Sequence, residues 1–244
     1  MKCIILAAGY ATRLYPLTEN MPKPLLEVAG RSILDRICEK IEKVEEINEI
    51  IIVSNHKFID SFRAWAQRYK GKKVAVLDDG TTSNENRLGA VRDILVAVDD
   101  LEINEDIMVL AGDNLFDFEL DDFVSFYKEK KTDCITTHII NDMERIRRTG
   151  VAELDENMRL LSFEEKPEQP KSNHAVPPFY IYQKKTLPLI SAFIEEGNHG
   201  DAPGMLISWL LKKVPVHAFH FQGNRYDIGT LESYKEVQRV FSEK

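Results

Sequence analysis

The stretch Ile4–Leu26, IILAAGYATRLYPLTENMPKPLL, decides the reading of this chain. A short apolar run, Cys3 to Ala8, is broken by Gly9. Two cations follow, Arg13 and Lys23, with Pro16, Thr18 and Pro22 between them. An apolar run that stops at a glycine reads as a buried strand passing into a loop. In an open parallel sheet, ligands bind beyond the carboxyl ends of the strands. Small residues at that edge let backbone N–H groups approach an anion, and spaced cations neutralise it. The stretch therefore reads as a phosphate site. A plain strand-to-loop turn with surface cations has the same spacing, and spacing alone leaves both open.

Outward from this stretch, the 244 residues suffice for one α/β domain, with or without an appended lobe, and for a sizeable core. No apolar run approaches the ~20 residues that a membrane helix needs. The N-terminal run is too short for a signal segment and has no cleavage site after it, which predicts a cytoplasmic protein. A net charge of −8 without a long basic block argues against a nucleic-acid surface and leaves Arg13 and Lys23 as local features. Cys3, Cys38 and Cys134 lie far apart, form no CxxC pair and read as reduced core residues. No P-loop, G-x-G-x-x-G, H-E-x-x-H or G-x-S-x-G is present, so simple kinase, dehydrogenase, zincin and hydrolase readings lose their usual support.

Strand and helix patterns alternate through the first half. Lys2–Ala7 is a strand, and Ser32 caps a helix carrying the stripe Ile33, Leu34, Ile37, Ile41 and Val44. Glu49–Ser54 is a buried strand, followed by a helix on Phe58, Ile59, Phe62, Trp65 and Tyr69, and then by a strand at Lys73–Leu77. The turn-rich segment Asp78–Asn86 is a loop, Leu88, Val91, Leu95 and Val98 mark a helix, and a strand at Asp106–Ala111 ends in Gly112-Asp113-Asn114. This order predicts a mostly parallel sheet with helices on both faces.

After about residue 145 the rhythm shortens. Strands near Val151–Leu154 and Arg159–Phe163 flank a hairpin-like turn, the segment Lys166–Pro178 with its four prolines reads as an irregular loop, and Phe179–Tyr182 is a strand. Helices are expected at Leu187–Glu196 and Met205–Lys212, a strand at Val214–Phe221, and a closing helix at Thr230–Phe241 with Thr230 as its cap. There is no internal repeat and no clear linker. The chain therefore reads as a single domain over 1–244, with the second half completing it.

Asp113, just past a buried strand, is placed to hold Mg²⁺, which favours one or two carboxylates plus phosphate oxygens and water. Taken alone, an ordinary turn aspartate is the stronger reading of it. Asp227 lies between the last strand and the last helix, where capping is the ordinary role, though Thr230 can cap unaided. Glu165-Lys166-Pro167 reads by itself as a solvated charge run, and Asn84 as a turn residue.

The stretch Leu6-Ala7-Ala8-Gly9-Tyr10-Ala11-Thr12-Arg13-Leu14-Tyr15-Pro16-Leu17-Thr18, then Pro22-Lys23-Pro24-Leu25, resembles the signature of the sugar-1-phosphate nucleotidyltransferases, L-A-(G/A)-G-x-G-T-R-(L/M)-x-P-(L/I)-T with P-K-P-L. Gly112-Asp113, Glu165-Lys166-Pro167 and Asp227-Ile228-Gly229-Thr230 follow in the family's order, so the resemblance covers nearly the whole chain. It implies a Rossmann-like fold of the GT-A type with a small β-rich acceptor-binding subdomain. Residues 1–140 would form a nucleotide-binding half, and 141–244 an acceptor-binding half that supplies the second metal ligand.

The resemblance also implies roles. Ala7, Ala8, Gly9, Ala11, Thr12 and Arg13 would surround the nucleotide phosphates, Arg13 and Lys23 would steady the departing pyrophosphate, and Asp113 and Asp227 would hold Mg²⁺. Lys166 would meet the acceptor phosphate and Glu165 the sugar, with Tyr180 also at the acceptor. Gly89, in Leu88-Gly89-Ala90, would pack on the base. Asn84, five residues before it, falls where relatives often carry a base-reading glutamine, and its carboxamide can donate and accept at once, as a pyrimidine edge requires.

Three departures stand out. Ala11 replaces the usual glycine, which is strained if the position needs a positive φ. Arg225 replaces a tryptophan two residues before Asp227. No glycine precedes Phe179, which predicts a reshaped acceptor pocket. The expected activity is joining an NTP, by preference a pyrimidine one, to a sugar 1-phosphate with release of pyrophosphate, in a protein free to form a homo-oligomer. A phosphocholine-type cytidylyltransferase and a non-catalytic regulatory paralogue are the rivals. The latter should have lost Arg13, Lys23, Asp113 or Asp227, all of which are present.

Overall fold

The computed structural model describes residues 1–243. Its elements, in chain order, are β1 (Lys2–Leu6), β2 (Glu27–Val28), β3 (Arg31–Ser32), α1 (Ile33–Glu42), β4 (Glu49–Ser54), α2 (Ile59–Arg68), β5 (Lys73–Asp78), α3 (Ala90–Asp100), β6 (Ile107–Ala111), β7 (Asn114–Phe116) and α4 (Leu120–Lys130). They continue with β8 (Asp133–Ile139), α5 (Met143–Ile146), β9 (Gly150–Leu154), β10 (Leu160–Glu165), β11 (His174–Val176), β12 (Phe179–Tyr182), α6 (Leu187–Glu195), α7 (Pro203–Leu210), β13 (Val216–His220), β14 (Arg225–Asp227) and α8 (Leu231–Ser242). The chain folds as two units: one made of Met1–Arg87, Ala111–Leu120 and Gly223–Lys244, the other of Leu88–Leu110 and Asp121–Gln222.

In the first unit β4 pairs in parallel with β1 on one side and β5 on the other. Every residue of β4 is buried, which is why its sequence, EIIIVS, is a continuous β-branched run rather than an alternating one. Glu49 begins it and is flanked across the ladder by Lys2 and Lys73, each 2.7 Å away, which pins the register at that edge. Ser32 caps α1 by accepting from the Asp35 N–H at 3.0 Å, and Ile33, Leu34, Ile37, Cys38 and Ile41 form its buried face. Thr230 and Ser233 cap α8 reciprocally. That helix is anchored to β2, because the Tyr234 hydroxyl and the Gln238 amide both donate to the Glu27 carbonyl, at 2.7 and 2.6 Å.

In the second unit β12 lies between β6 and β8 and is antiparallel to both. β11 pairs with β8, β9 with β11 and β10 with β9, all antiparallel, while β13 runs parallel to β8. The fold is α/β with a mixed sheet, and the parallel pattern read from the sequence applies to β1, β4 and β5. The β9–β10 link is only a turn, in which Asp155 accepts from the Asn157 and Arg159 N–H groups. So short a link can only reverse the chain direction. The proline-rich segment 166–178 is not wholly irregular, since His174–Val176 forms β11 within it. Cys3, Cys38 and Cys134 are free and buried, and burial raises all three thiols.

Candidate active site

The loop after β1 is shaped from below. Ala7 and Ala8 are buried, and the Ala8 carbonyl accepts from the buried Asn55 amide at 2.8 Å. A Cβ added to Gly9 would meet nothing within 4 Å, so the backbone there faces open space. Ala11 adopts φ 49 and ψ 40, the left-handed region. Its carbonyl accepts from the Leu14 N–H at 2.9 Å and from the buried Thr18 hydroxyl at 2.8 Å, so the conformation is held from two sides. The position thus demands a positive φ, and alanine is strained in it. Thr12 and Arg13 open the short 3-10 turn that follows and are exposed. Thr18 appears in the sequence only as the end of the motif, with no role attached, and Asn55 is not singled out there; the burial that marks Asn55 is not encoded locally.

Lys23 and Asp113 meet because a glycine lets two segments close up. The Gly112 N–H donates to the Leu6 carbonyl at 2.9 Å. A side chain at Gly112 would fall 3.0 Å from that oxygen, 3.1 Å from Ile5 Cγ2 and 3.2 Å from Pro24 Cγ. With none there, the buried Lys23 ammonium reaches Asp113 Oδ2 at 2.7 Å. Burial pushes the Asp113 carboxyl up, but the Lys23 ammonium, with Arg225 and the Asn114 amide, holds it below the usual carboxylate range.

Asp227 is delivered by a two-stranded ladder. β14 pairs antiparallel with β7, which sets Asp227 opposite Asn114, the neighbour of Asp113. Arg225 donates from Nε to Asn114 Oδ1 at 2.6 Å, and its Nη2 lies 3.4 Å from Asp227 Oδ2. A Cβ built on Gly229 would lie 3.8 Å from both Arg13 Nη2 and Asp227 Oδ1, so cation and carboxylate border one space. The fold of the first unit therefore gathers Arg13, Lys23, Asp113 and Asp227, which are far apart in sequence. The two carboxylates, 39% and 55% exposed, offer hard oxygen donors of the kind Mg²⁺ takes. No group of three or more His, Cys, Asp or Glu among the described residues is placed to hold a metal ion by itself. An ion held here would draw its remaining ligands from phosphate and water, and the donor set fits one that does.

Asn84 starts a 3-10 turn in which Ser83 and Asn86 cap each other. Asn86 Oδ1 is spent on the Ser83 and Thr82 N–H groups at 2.9 and 3.2 Å, whereas the Asn84 carboxamide makes no hydrogen bond among the described residues.

The second unit holds the remaining candidates. Lys166 is exposed and has φ 48, with its N–H donating to the Thr149 carbonyl at 3.1 Å. Glu165 is half-buried against Gly150 and Gly204, whose missing side chains leave it room. Burial raises its carboxyl, offset in part by Lys166. Gly89 has φ 92 and packs on the backbone of Gly200 and Asp201, so that no Cβ fits there. The Gly200 and Asp201 carbonyls take up the Val91 and Ala90 N–H groups at 2.9 and 3.3 Å. Tyr180 is 2% exposed and belongs to the core, as do the other aromatics of β12.

Residues 2–244 match the family model described as Nucleotidyl transferase. The chain is 30% identical over its whole length to the bifunctional protein GlmU of Methanocaldococcus jannaschii, of which it covers 55%. It is 28% identical over 96% of its length to a glucose-1-phosphate adenylyltransferase of Clostridium novyi, of which it covers 64%. The chain thus spans somewhat over half the length of these two relatives. It is 27% identical to the UTP–glucose-1-phosphate uridylyltransferase AglF of Haloferax volcanii over all of this chain and 98% of that one.

Among solved structures, a Bacillus anthracis protein assigned as a glucose-1-phosphate thymidylyltransferase, in complex with sucrose, superposes with a TM-score of 0.84 at 24% identity, covering 100% of this chain and 96% of that one. A UDP-glucose pyrophosphorylase complexed with UDP-glucose also gives 0.84, at 22% identity over 99% and 98% of the two chains. At such identities the structural likeness speaks for the fold, while the family model spans the sequence from β1 through α8, and on that span the chain belongs to the nucleotidyl transferase family.

Proposed function

We propose that the protein joins a nucleoside triphosphate to a sugar 1-phosphate and releases pyrophosphate. The observation that carries the reading is the β7–β14 register, by which Asp227 comes opposite Asn114, beside an Asp113 already paired with the buried Lys23. In the reaction, an acceptor phosphate oxygen attacks the α-phosphorus of the triphosphate in line. The bond from that phosphorus to the β-bridging oxygen breaks, and pyrophosphate leaves with the electron pair. Such chemistry is mostly positioning and electrostatics, and the acceptor phosphate is already ionised, so no protein nucleophile or general base is required.

Arg13, exposed beside Asp227, and Lys23, with N–H donors beyond the one given to Asp113, neutralise the leaving pyrophosphate. The open backbone from Gly9 to Thr12 takes the phosphates. Mg²⁺ bound at Asp113 and Asp227 would supply charge stabilisation at the phosphoryl oxygens. Asn84, with its carboxamide unspent, reads the base, and a pyrimidine triphosphate is preferred. In the second unit Lys166 takes the acceptor phosphate and Glu165 a sugar hydroxyl. Tyr180 and Gly89, both enclosed by protein, have no direct role in this reading.

The test is a matrix of five NTPs against sugar phosphates and phosphocholine, with pyrophosphate release read in the presence of Mg²⁺. A pyrimidine triphosphate with a sugar 1-phosphate should give the highest turnover. Asp113→Asn and Asp227→Asn should each lose about a hundredfold or more in turnover. The melting temperature should be retained in Asp227→Asn and fall in Asp113→Asn, where the buried Lys23 ammonium loses its partner. Release from no pair would overturn the reading, and a purine preference would remove Asn84 from base recognition.

A further inference from the structure

We propose that Arg225 is a positioning residue: its guanidinium fixes the orientation of the Asn114 carboxamide, and through it the geometry in which Asp113 and Asp227 together meet a divalent cation. The inference rests on the nucleotidyl-transfer reading above. Residues two apart on a strand share a face, so Arg225 and Asp227 project from the same side of β14, and the ladder sets Asn114 opposite Asp227. The Arg225 side chain is only 15% exposed, and its guanidinium touches both partners, with Nε 2.6 Å from Asn114 Oδ1 and Nη2 3.4 Å from Asp227 Oδ2.

A guanidinium donates and never accepts. Asn114 must therefore turn its oxygen to Arg225, which leaves its Nδ2 to donate to Asp113 Oδ1 at 2.5 Å. Lys23 holds the other Asp113 oxygen at 2.7 Å. Without Arg225 the Asn114 oxygen loses its donor, and the carboxamide is held from one side only, by its own bond to Asp113, so that the carboxylate it steadies is less firmly placed. Two different nitrogens of one rigid fork make these contacts, and a lysine ammonium cannot reproduce them.

The experiment uses the full chain with Arg225→Lys, Arg225→Gln and Asn114→Leu. Three quantities are read: Mn²⁺ binding by paramagnetic resonance with no nucleotide present, the side-chain amide resonances of Asn114, and thermal melting. The wild type should show a protected Asn114 amide that becomes solvent-like in both Arg225 variants. Mn²⁺ affinity should fall about tenfold or more in all three variants, the usual size of losing a residue that orients a metal ligand. Wild-type Mn²⁺ binding in Arg225→Lys would reduce the residue to a charge and overturn the proposal, as would tighter binding in Arg225→Gln. If the Arg225 variants fail to fold, Asn114→Leu decides, and undiminished Mn²⁺ binding in it overturns the proposal. A wild type that binds Mn²⁺ with an ordered Asn114 amide but releases no pyrophosphate would sink the nucleotidyl-transfer reading and leave the role of Arg225 standing.

Discussion

At the scale of single residues, strain and burial mark the same loops that carry the proposed chemistry. Ala11 sits at φ 49, where an L side chain costs about 1–2 kcal/mol. Glycine would relieve that cost but lose about 0.5–1 kcal/mol to its greater freedom when unfolded. Ala11→Gly is therefore expected to raise stability by up to about 1.5 kcal/mol, seen as a higher denaturant midpoint at unchanged slope. A lower midpoint would mean that the methyl group packs. Glu165 makes the opposite compromise. Burial raises its carboxyl, so the stability it contributes is fully present below the ordinary carboxylate pKa and is lost as pH rises through the raised value. Glu165→Gln should melt higher at neutral pH, with a flatter pH dependence, while the acceptor KM rises. If the variant melts lower at neutral pH, the carboxylate has a partner that favours its charge. Both residue types are visible in the sequence. The φ of one and the burial of the other are not.

At the scale of elements, the regular pieces follow from periodicity, and the exceptions are those held by distant partners. α1, β4, α2, β5 and α8 lie where their apolar stripes and caps put them. β7 and β14, three residues each, have no periodicity to read and exist only as each other's partner, yet they bring Asp227 to Asp113. β11 is equally short and is made a strand by β8 and β9 on its two sides.

Asp133, at the start of β8, shows how such a partner is held. Its carboxylate accepts from the Gln183 N–H at 2.8 Å and from the Thr186 hydroxyl at 2.8 and 3.0 Å, tying β8 to the turn after β12. Burial pushes it up to about 6 against those bonds. A raised carboxyl favours the fold at low pH, and stability falls as pH climbs from the ordinary carboxylate range through that value. Asparagine keeps an oxygen for Gln183 and carries no charge. Asp133→Asn should therefore be more stable above pH 7 by roughly 1–3 kcal/mol and remove the acidic slope. Parallel melting curves of the two proteins from pH 4 to 8 would refute this if they stayed a constant distance apart.

At the scale of the whole molecule, the first unit is assembled from three stretches separated by long excursions of chain. Its last stretch, residues 223–244, supplies β14, Asp227 and α8. Removing it leaves β7 without its partner strand and strips the Tyr234 and Gln238 donors from Glu27. A chain ending at Gln222 should melt more than about 10 °C lower, or without a cooperative transition, in calorimetry. Asp227→Asn in the full chain should melt like the parent. A truncated chain as stable as the parent would show that the final stretch serves only to carry Asp227. No helix among the described residues is long and apolar enough to cross a membrane.

What the sequence determined by itself was whatever is local or strictly ordered along the chain. That includes the strands β1, β4 and β5 and their parallel sense, because short apolar runs alternating with helical stripes need no named partner to be recognised. It includes the caps of α1 and α8, because a hydroxyl bonding three residues ahead is a short-range event. It also includes the family, because four spaced motifs occur in order. The tertiary structure alone decided that Ala11 is left-handed, since the Thr18 hydroxyl fixes its carbonyl from seven residues away. It alone decided that the aromatics of β12 fill a core, since burial depends on two neighbouring strands and not on residue type. It made Arg225 the link between the candidate metal-binding carboxylates, because Asn114 lies more than a hundred residues upstream and meets it only through the β7–β14 pairing. Pairing partners far apart in the chain leave no trace in local pattern, and the arrangement of this site depends on such partners.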